Sequence, residues 1–157
     1  MSEPMVSHDN VGFYLLSQEV AKYVKVVQSG QGADEIFAGY HWYPPMMQAT
    51  DALHTYQEAF FDRSFEEYRE LVSPGLVEQD WAKEFVETHF SHQGAERCID
   101  KALRIDTQVM LIDDPVKRVD NHTMAASLEA RVPFLDHEVV EFAATVPAEM
   151  KIASGGK

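Results

Sequence analysis

A short segment rich in glycine and acidic residues has the composition of a ligand-binding turn. Residues 29–35 read Ser-Gly-Gln-Gly-Ala-Asp-Glu and follow a valine-rich stretch, residues 24–27. Main-chain N–H groups at a helix start lack intrahelical partners, and the helix dipole is positive there, so such a turn can hold an anion. Asp34 and Glu35 would repel a bare phosphate, but Mg²⁺ placed between them and the phosphate would remove that repulsion. The sequence therefore predicts a phosphate site bridged by a metal ion.

Two common phosphate-binding patterns are excluded by the spacing of these glycines. The segment lacks the Gly-x-x-x-x-Gly-Lys-Ser/Thr pattern of a Walker loop, and Glu35 stands where a dinucleotide fingerprint has its third glycine. A plainer interpretation stays open on the residues alone. The glycines would then serve only the geometry of a strand-to-helix turn, and the acids would only stabilise the helix start.

The elements that would position this turn can be predicted on both sides of it. Apolar residues recur at helical spacing over residues 10–23 and predict a helix. The β-branched residues from Val24 onward predict a short buried strand that leads into the turn. After Tyr40 the chain should leave the helix, because the adjacent Pro44 and Pro45 forbid its continuation, and an aromatic loop is expected beside the turn.

The rest of the chain is predicted to be mainly helical. Three helices are expected between residues 50 and 90, separated near Ser64, which can cap a helix, and near Pro74. A further helix is expected over residues 95–111. The Asp-Asp-Pro sequence at residues 113–115 then supplies an N-cap and a first-turn proline for another helix.

The strand near Val24 raises the question of what it pairs with. No parallel strand precedes it in this sequence, and an unpaired strand leaves its backbone groups unsatisfied. Residues 131–134 are predicted to be extended because a proline follows Val132, and Asp136 should cap a last helix that ends near Pro147. We therefore expect either a segment of a longer protein or a chain that pairs its strand with another copy in a homodimer.

Composition and charge limit the class of protein. With 157 residues and 45% hydrophobic content, the chain is long enough for a domain with a core. A net charge of −13 disfavours binding to nucleic acid or to an anionic membrane. The single cysteine, Cys98, excludes an intrachain disulfide and fits a reducing compartment. Residues 1–4 lack the basic start of a secretory signal, so the cytoplasm is the expected location.

Two segments resemble blocks that characterise the asparagine synthetase family. Residues 29–40, Ser-Gly-Gln-Gly-Ala-Asp-Glu-Ile-Phe-Ala-Gly-Tyr, are similar to the second block of that family. Residues 127–136, Ser-Leu-Glu-Ala-Arg-Val-Pro-Phe-Leu-Asp, are similar to the third block and follow in the same order. Residues 41–46, His-Trp-Tyr-Pro-Pro-Met, resemble the branch that amidates N-acetylglutaminylglutamine, an osmolyte dipeptide.

The resemblance implies an enzyme that uses ATP to make an amide. Such an enzyme converts a small-molecule carboxylate into an acyl-adenylate, releases pyrophosphate, and then lets ammonia attack the acyl group. The ammonia comes from glutamine, through a separate N-terminal domain with a nucleophilic cysteine. That domain, the Ser-Gly-Gly-x-Asp-Ser pyrophosphate loop and an adenylate-stabilising lysine are expected outside this chain, so the chain alone is expected to be inactive.

The resemblance also assigns roles to individual residues. Ser29, Gly30 and Gly32 match the nucleotide-binding turn, and Asp34 matches the Mg²⁺ carboxylate, so ATP and Mg²⁺ are the implied cofactors. Gln31 departs from the family, because asparagine synthetases carry a glutamate there that serves acyl-adenylate formation and is a plausible base for ammonia. Glutamine cannot titrate, so Gln31 could only orient a substrate by hydrogen bonding.

Charged residues at the third block offer a second set of candidates. Lys117, Asp120 and Arg131 match family positions where a cation would hold phosphate or the substrate carboxylate. For Arg131 the alternative is a buried structural ion network with Asp120, Glu129 or Asp136.

The sequence as a whole predicts a part of one enzyme domain and leaves one alternative open. We expect residues 1–157 to be part of a synthetase domain, mainly helical with one or two short strands. The parent domain would be a doubly wound α/β fold of the adenine-nucleotide alpha-hydrolase type, in a glutamine-dependent amidotransferase. The alternative is an acidic, helical interaction module that keeps the scaffold and has lost catalysis.

Overall fold

The computed structural model describes residues 9–152, which form two compact units. One unit comprises residues 9–38 and Asp106–Pro147, and the other comprises Gly39–Ile105 and residues 148–152. Within this part of the chain, no helix combines the length and the apolar character needed to cross a bilayer. The expectation about residues 1–4 lies outside the described residues.

The described chain is mainly helical, as predicted. The helices are α1 (Asp9–Val20), α2 (Ala33–Phe37), α3 (Tyr43–Met46), α4 (Ala52–Phe60), α5 (Phe65–Leu71), α6 (Trp81–Ser91), α7 (Cys98–Ile105), α8 (Lys117–Ala125), α9 (His137–Thr145) and α10 (Ala148–Lys151). The strands are β1 (Val26–Gln28) and β2 (Glu129–Arg131). Short 3₁₀ turns at Pro74–Leu76 and Pro133–Leu135 and π-helical segments at Asp106–Met110 and Ile112–Val116 connect some of them.

The first unit is organised around the parallel pair of β1 and β2. Val26 lies opposite Glu129, and Gln28 lies opposite Arg131. The expectation that the first strand finds no partner within the chain is therefore wrong, because its partner comes later in the sequence rather than earlier. An unpaired strand therefore no longer supports a homodimer, which stays a prediction.

The buried strand predicted from the valines is shorter and more exposed than expected. It begins at Val26 rather than Val24, and Val26 is 46% exposed. In the described part of the chain β1 pairs with β2 alone, so its valines are not enclosed by neighbouring strands. The doubly wound parent sheet accordingly stays a prediction.

Helix α1 forms as predicted but uses a different face for packing. It lies against α8, where Tyr14 makes an edge contact with His122 at 6.3 Å between ring centroids. Ser17 is buried and its hydroxyl donates to the Phe13 carbonyl oxygen at 2.7 Å. Leu16, one of the apolar residues at helical spacing in this helix, is exposed. A small, internally satisfied serine allows the close approach that a leucine would prevent.

The chain after α7 departs from the predicted α-helix. The α-helical hydrogen bonding expected over residues 95–111 is confined to Cys98–Ile105, and the next residues are π-helical. A π-helical turn carries extra residues and rotates the following side chains relative to an α-helix, which explains why Ile112 is exposed. Pro115 lies inside the segment Ile112–Val116 and does not begin a helix, so the predicted N-cap is wrong. The wider turn accommodates the missing N–H of proline.

The second unit packs helices α3, α4, α6 and α7 against one another. Its core holds the buried Tyr43, Met46, Tyr56, Phe90 and Ile99. The loop expected at the proline pair is wrong, because Pro44 and Pro45 open the short helix α3. Proline suits a first turn, where its missing N–H costs no intrahelical hydrogen bond. The three helices expected between residues 50 and 90 are confirmed as α4, α5 and α6.

The predicted cap at Ser64 is confirmed and gives a direct test of the local structure. The Ser64 hydroxyl accepts from the Glu67 N–H at 3.2 Å, and the Glu67 carboxylate accepts from the Ser64 N–H at 2.7 Å. We expect Ser64→Ala to lower the free energy of unfolding by about 1 kcal/mol. Ser73→Ala is the matched control, because Ser73 precedes a 3₁₀ turn without a side-chain capping bond. Urea denaturation followed by circular dichroism measures both, and equal losses would contradict the capping role.

An exposed ion pair in the second unit predicts a pH dependence. Arg97 Nη2 lies 2.6 Å from Glu149 Oε1, and the hydrogen bond from Arg97 lowers the pKa of the Glu149 carboxyl from its ordinary value. A lowered carboxyl pKa stabilises the fold above the unfolded-state pKa, and that contribution is lost as the pH falls through the folded-state pKa. The stabilities of the wild type and Glu149→Gln should thus differ slightly at pH 7 and converge in acid. A gap that stays constant as the carboxyl is titrated would contradict this assignment.

Candidate functional site

The strand pair fixes the position of the predicted ligand-binding turn. The Ser29 N–H donates to the Arg131 carbonyl oxygen at 2.8 Å, which extends the ladder by one residue beyond Gln28. Since β1 and β2 are parallel, both strands end at this edge, and the chain leaves β1 directly into the turn. The segments that resemble the second and third family blocks therefore lie side by side.

The turn itself, residues 29–32, is held by short-range hydrogen bonds. The Gln31 N–H donates to the Ser29 hydroxyl at 3.4 Å, and the Ala33 N–H donates to the Gly30 carbonyl oxygen at 3.3 Å. These bonds and the strand bond occupy the amides of Ser29, Gln31 and Ala33. A ligand contact at Ser29 would consequently use its hydroxyl rather than its N–H.

The two glycines of the turn have different surroundings. Gly32 has φ of +92°, and a Cβ added there would overlap Leu135 Cδ2 and lie 2.9 Å from Leu135 Cγ. Gly30 is exposed, and a Cβ added there would meet no atom within 4 Å. Glycine is thus needed at position 32 for backbone conformation and packing. The open side of the turn is at Gly30.

The acidic residues after the turn differ in burial. Asp34 and Glu35 lie in the first turn of α2, with Asp34 partly exposed and Glu35 only 1% exposed. The helix is five residues long and ends where Ala38 donates its N–H to the Asp34 carbonyl oxygen. Burial removes Glu35 from solvent, so Asp34 is the better placed of the two to meet a soluble ligand.

The donor set can be compared with what Mg²⁺ requires. Magnesium prefers oxygen ligands and is commonly held by one or two carboxylates, substrate phosphates and water. Asp34 offers carboxylate oxygens of that kind. Over residues 9–152, no group of three or more His, Cys, Asp or Glu residues is arranged to hold a metal ion. A single carboxylate such as that of Asp34 would suit a metal ion that is also bound by phosphate oxygens and water.

Of the three charged candidates Lys117, Asp120 and Arg131, two are exposed at the surface. Lys117 is the first residue of α8 and is partly buried, whereas Asp120 on the same helix is exposed. Arg131 Nε lies 3.2 Å from Glu129 Oε1, and the side chain of Arg131 is 67% exposed. The pairing of Arg131 with Glu129 agrees with the alternative given above, but the burial predicted for it is wrong, because both side chains are exposed. An exposed pair of this kind contributes little to stability.

Asp136 has the capping role that the sequence indicates. Its carboxylate accepts from the Glu138 N–H at 2.9 Å at the start of α9. The helix ends at Thr145, two residues before Pro147, which agrees with the predicted end. This cap fixes the segment that follows β2 and Leu135.

The structure also identifies a buried cation that the sequence argument did not single out. In α8, Arg118 Nη1 lies 3.5 Å from Asp9 Oδ2 and 3.4 Å from Asp114 Oδ1. The Arg118 guanidinium also lies over the Phe13 ring, 5.3 Å from the ring centroid. The four-residue spacing of Asp114 and Arg118 is a signal for such a pair. The approach of α1 depends on tertiary packing and has no comparable local signal.

The position of the turn at the edge of the strand pair is typical of one class of site. A glycine turn that leaves the carboxyl edge of parallel strands and enters a helix has the position at which α/β sheets commonly bind ligands. The chain belongs to the asparagine synthase family, whose sequence model matches residues 1–157.

Curated relatives agree with the family assignment. The chain is 31% identical to a putative glutamine-hydrolyzing asparagine synthetase of Mycobacterium tuberculosis, a match that covers 97% of this chain and 28% of the relative. It is 28% identical to glutamine-hydrolyzing asparagine synthetase 1 of Bacillus subtilis, over 98% of this chain and 30% of the relative. It is 26% identical to the glutamine-hydrolyzing asparagine synthetase of Gallus gallus, over 94% of this chain and 18% of the relative. The chain thus spans less than a third of the length of each of these relatives.

Proposed function

We propose that this chain is part of the synthetase domain of a glutamine-dependent amidotransferase, which adenylates a small-molecule carboxylate with ATP and Mg²⁺ and converts it to an amide. The observation that carries the proposal is the hydrogen bond from the Ser29 N–H to the Arg131 carbonyl oxygen. This bond joins two segments that resemble family blocks and lie far apart in the sequence, so they form one structural unit. The match to the family over the whole chain adds independent support.

In the proposed site the turn holds the nucleotide from its open side. Space beside Gly30 allows a phosphate or sugar to approach the backbone closely, while the Ser29 hydroxyl can donate to it. Asp34 would supply carboxylate oxygens to Mg²⁺, which offsets the negative charge of the departing pyrophosphate. Lys117 is a candidate for holding a phosphate or the substrate carboxylate.

Gln31 bears on the identity of the substrate. Its side-chain amide can donate to a carboxylate oxygen and accept from an attacking amine, but it cannot remove a proton as a base. A different group would take the proton from ammonia. We infer a substrate other than aspartate, and the proline-rich sequence at residues 41–46 favours N-acetylglutaminylglutamine.

The test uses the full-length gene product, since the chain spans only 28% of the length of the mycobacterial relative. The protein would be incubated with Mg-ATP, glutamine or ammonium, and either aspartate or N-acetylglutaminylglutamine. Pyrophosphate release and mass spectrometry of the amide are the measurements. Amide formation with either substrate supports the synthetase, and formation with the dipeptide alone supports the substrate assignment. Failure of both, in a protein that is folded, would overturn the proposed activity.

A second candidate is a non-catalytic acidic interaction module derived from the same scaffold. Gln31 favours it, because a titratable group is absent at a position where the family places a glutamate. Calorimetry with Mg-ATP separates the two candidates. A synthetase binds Mg-ATP and loses affinity in Asp34→Ala, whereas a module that has lost the site shows no binding in either form.

Location and assembly are further parts of the proposal. A cytoplasmic enzyme fits the single, unpaired Cys98, whose thiol donates to the Ala49 carbonyl oxygen at 3.2 Å. Cell fractionation tests the location, and light scattering after size exclusion tests the homodimer.

A further inference from the structure

Leu135 closes one side of the ligand-binding turn. Its side chain occupies the place where a Cβ on residue 32 would lie, with Phe134 Cβ 3.7 Å from the same point. Close packing of this kind leaves the turn little freedom to move toward β2. Gly32 also has positive φ, which is only one of the conformations open to glycine, so packing against its surroundings is what can select it.

The segment that carries Leu135 is itself held firmly. The Leu135 N–H donates to the Val132 carbonyl oxygen at 2.9 Å, and the Asp136 N–H donates to the Pro133 carbonyl oxygen at 3.3 Å. Phe134 packs edge-on against Phe37 of α2, with ring centroids 6.3 Å apart. The 3₁₀ turn Pro133–Leu135 therefore contacts the structure at both ends of α2, at Gly32 and at Phe37.

We propose that Leu135 is a positioning residue for the turn: it holds Gly32 in the left-handed conformation and so keeps Gly30 open to the ligand. The structural half of this inference concerns the turn alone. The catalytic half rests on the proposed function. Leu135 lies on the Gly32 side of the turn, whereas the open space is at Gly30, so it would act through the turn and not by contact with the ligand.

Loss of the Leu135 contact should affect KM and kcat differently. If the turn adopts its binding conformation for only a fraction of the time, the apparent affinity falls by that fraction. Leu135→Ala removes the contact and should raise KM for Mg-ATP about tenfold. At saturating Mg-ATP the bound turn is restored, so kcat should change less than about twofold. A role in stability alone would leave KM unchanged in the folded protein.

Three variants of the full-length gene product make the test specific. Leu135→Ala removes the contact, and Leu135→Met restores a side chain of similar volume. Val119→Ala is the matched control, because Val119 is a buried apolar residue of α8 in the same unit. Hydrogen exchange of the amides of residues 30–33 is measured without ligand, and KM and kcat are measured with Mg-ATP.

Faster exchange at residues 30–33 and a raised KM in Leu135→Ala, with both near wild type in Leu135→Met and in Val119→Ala, support the inference. Unchanged exchange in Leu135→Ala overturns it, as does a KM that rises equally in Val119→Ala. A wild type that forms no amide refutes the proposed function instead. The exchange measurement still decides whether Leu135 positions the turn, because it requires no activity.

Discussion

Replacing Asp34 with asparagine should lower kcat/KM for ATP-dependent amide formation by about 100-fold to 1,000-fold in the full-length gene product. Losing one preorganised electrostatic contact to charge that develops in a transition state typically has an effect of this size. Asparagine keeps the shape of the side chain and one oxygen, but it removes the negative charge that attracts Mg²⁺. Initial rates at several Mg²⁺ concentrations measure the effect, and the variant should need more Mg²⁺ for half-maximal rate.

The control for this experiment is Glu138→Gln. Glu138 is an exposed acid in the first turn of α9, so the variant makes the same change of charge within the same unit. It should retain wild-type rates and the wild-type Mg²⁺ requirement. Unchanged Mg-ATP affinity and unchanged adenylation in Asp34→Asn would refute the metal assignment. In that event Asp34 would serve only to stabilise the start of α2.

The second large effect is on stability. Gly32→Ala should lower the free energy of unfolding by about 2–5 kcal/mol. Placing a side chain at a left-handed backbone position costs about 1–2 kcal/mol, and overpacking against Leu135 adds about 1–3 kcal/mol. Urea denaturation of the wild type and the variant, followed by circular dichroism, gives the difference directly.

Gly30→Ala is the matched control, since it makes the same chemical change two residues away. An added Cβ at Gly30 meets nothing within 4 Å, so the stability should change by less than about 0.5 kcal/mol. The double variant Gly32→Ala with Leu135→Ala separates the two costs. It relieves the overlap but keeps the positive φ, so the two substitutions should be non-additive. Equal losses at the two glycines would contradict the asymmetry of the turn.

Local signals in the sequence were sufficient for much of the helical structure. Ser64 and Asp136 cap helices because their side chains reach backbone N–H groups within three residues. The ends of α5 and α9 follow from Pro74 and Pro147, which cannot continue a helix. Such features involve neighbouring residues and do not depend on the rest of the fold.

Features that depend on distant contacts were not predictable. The pairing of β1 with β2 joins residues far apart in the sequence, and the three-residue β2 is too short to show a period-two pattern. The π-helical segment Asp106–Met110 changes the helical phase, which a constant-period pattern cannot represent. The packing face of α1 depends on Ser17, a polar residue that the apolar pattern ignores.

The candidate site, too, was predictable only where local signals determine it. The turn at residues 29–32 and the acid at Asp34 were found from composition and spacing, and the structure places them after β1 as expected. The different surroundings of Gly30 and Gly32 could not be predicted, because Leu135 approaches from a segment remote in sequence. The metal and nucleotide contacts of these residues stay predictions.

The long connection between β1 and β2 has a consequence for folding. Between Gln28 and Glu129 the polypeptide makes a single crossover that contains the whole of Gly39–Ile105 from the second unit. The entropy of closing such an excursion rises only slowly with its length, by about 0.6 kcal/mol for each doubling. Changes in the length of its exposed loops would therefore alter the equilibrium pairing of β1 and β2 only slightly. The same separation gives this pair a high contact order, so we expect it to form late during folding.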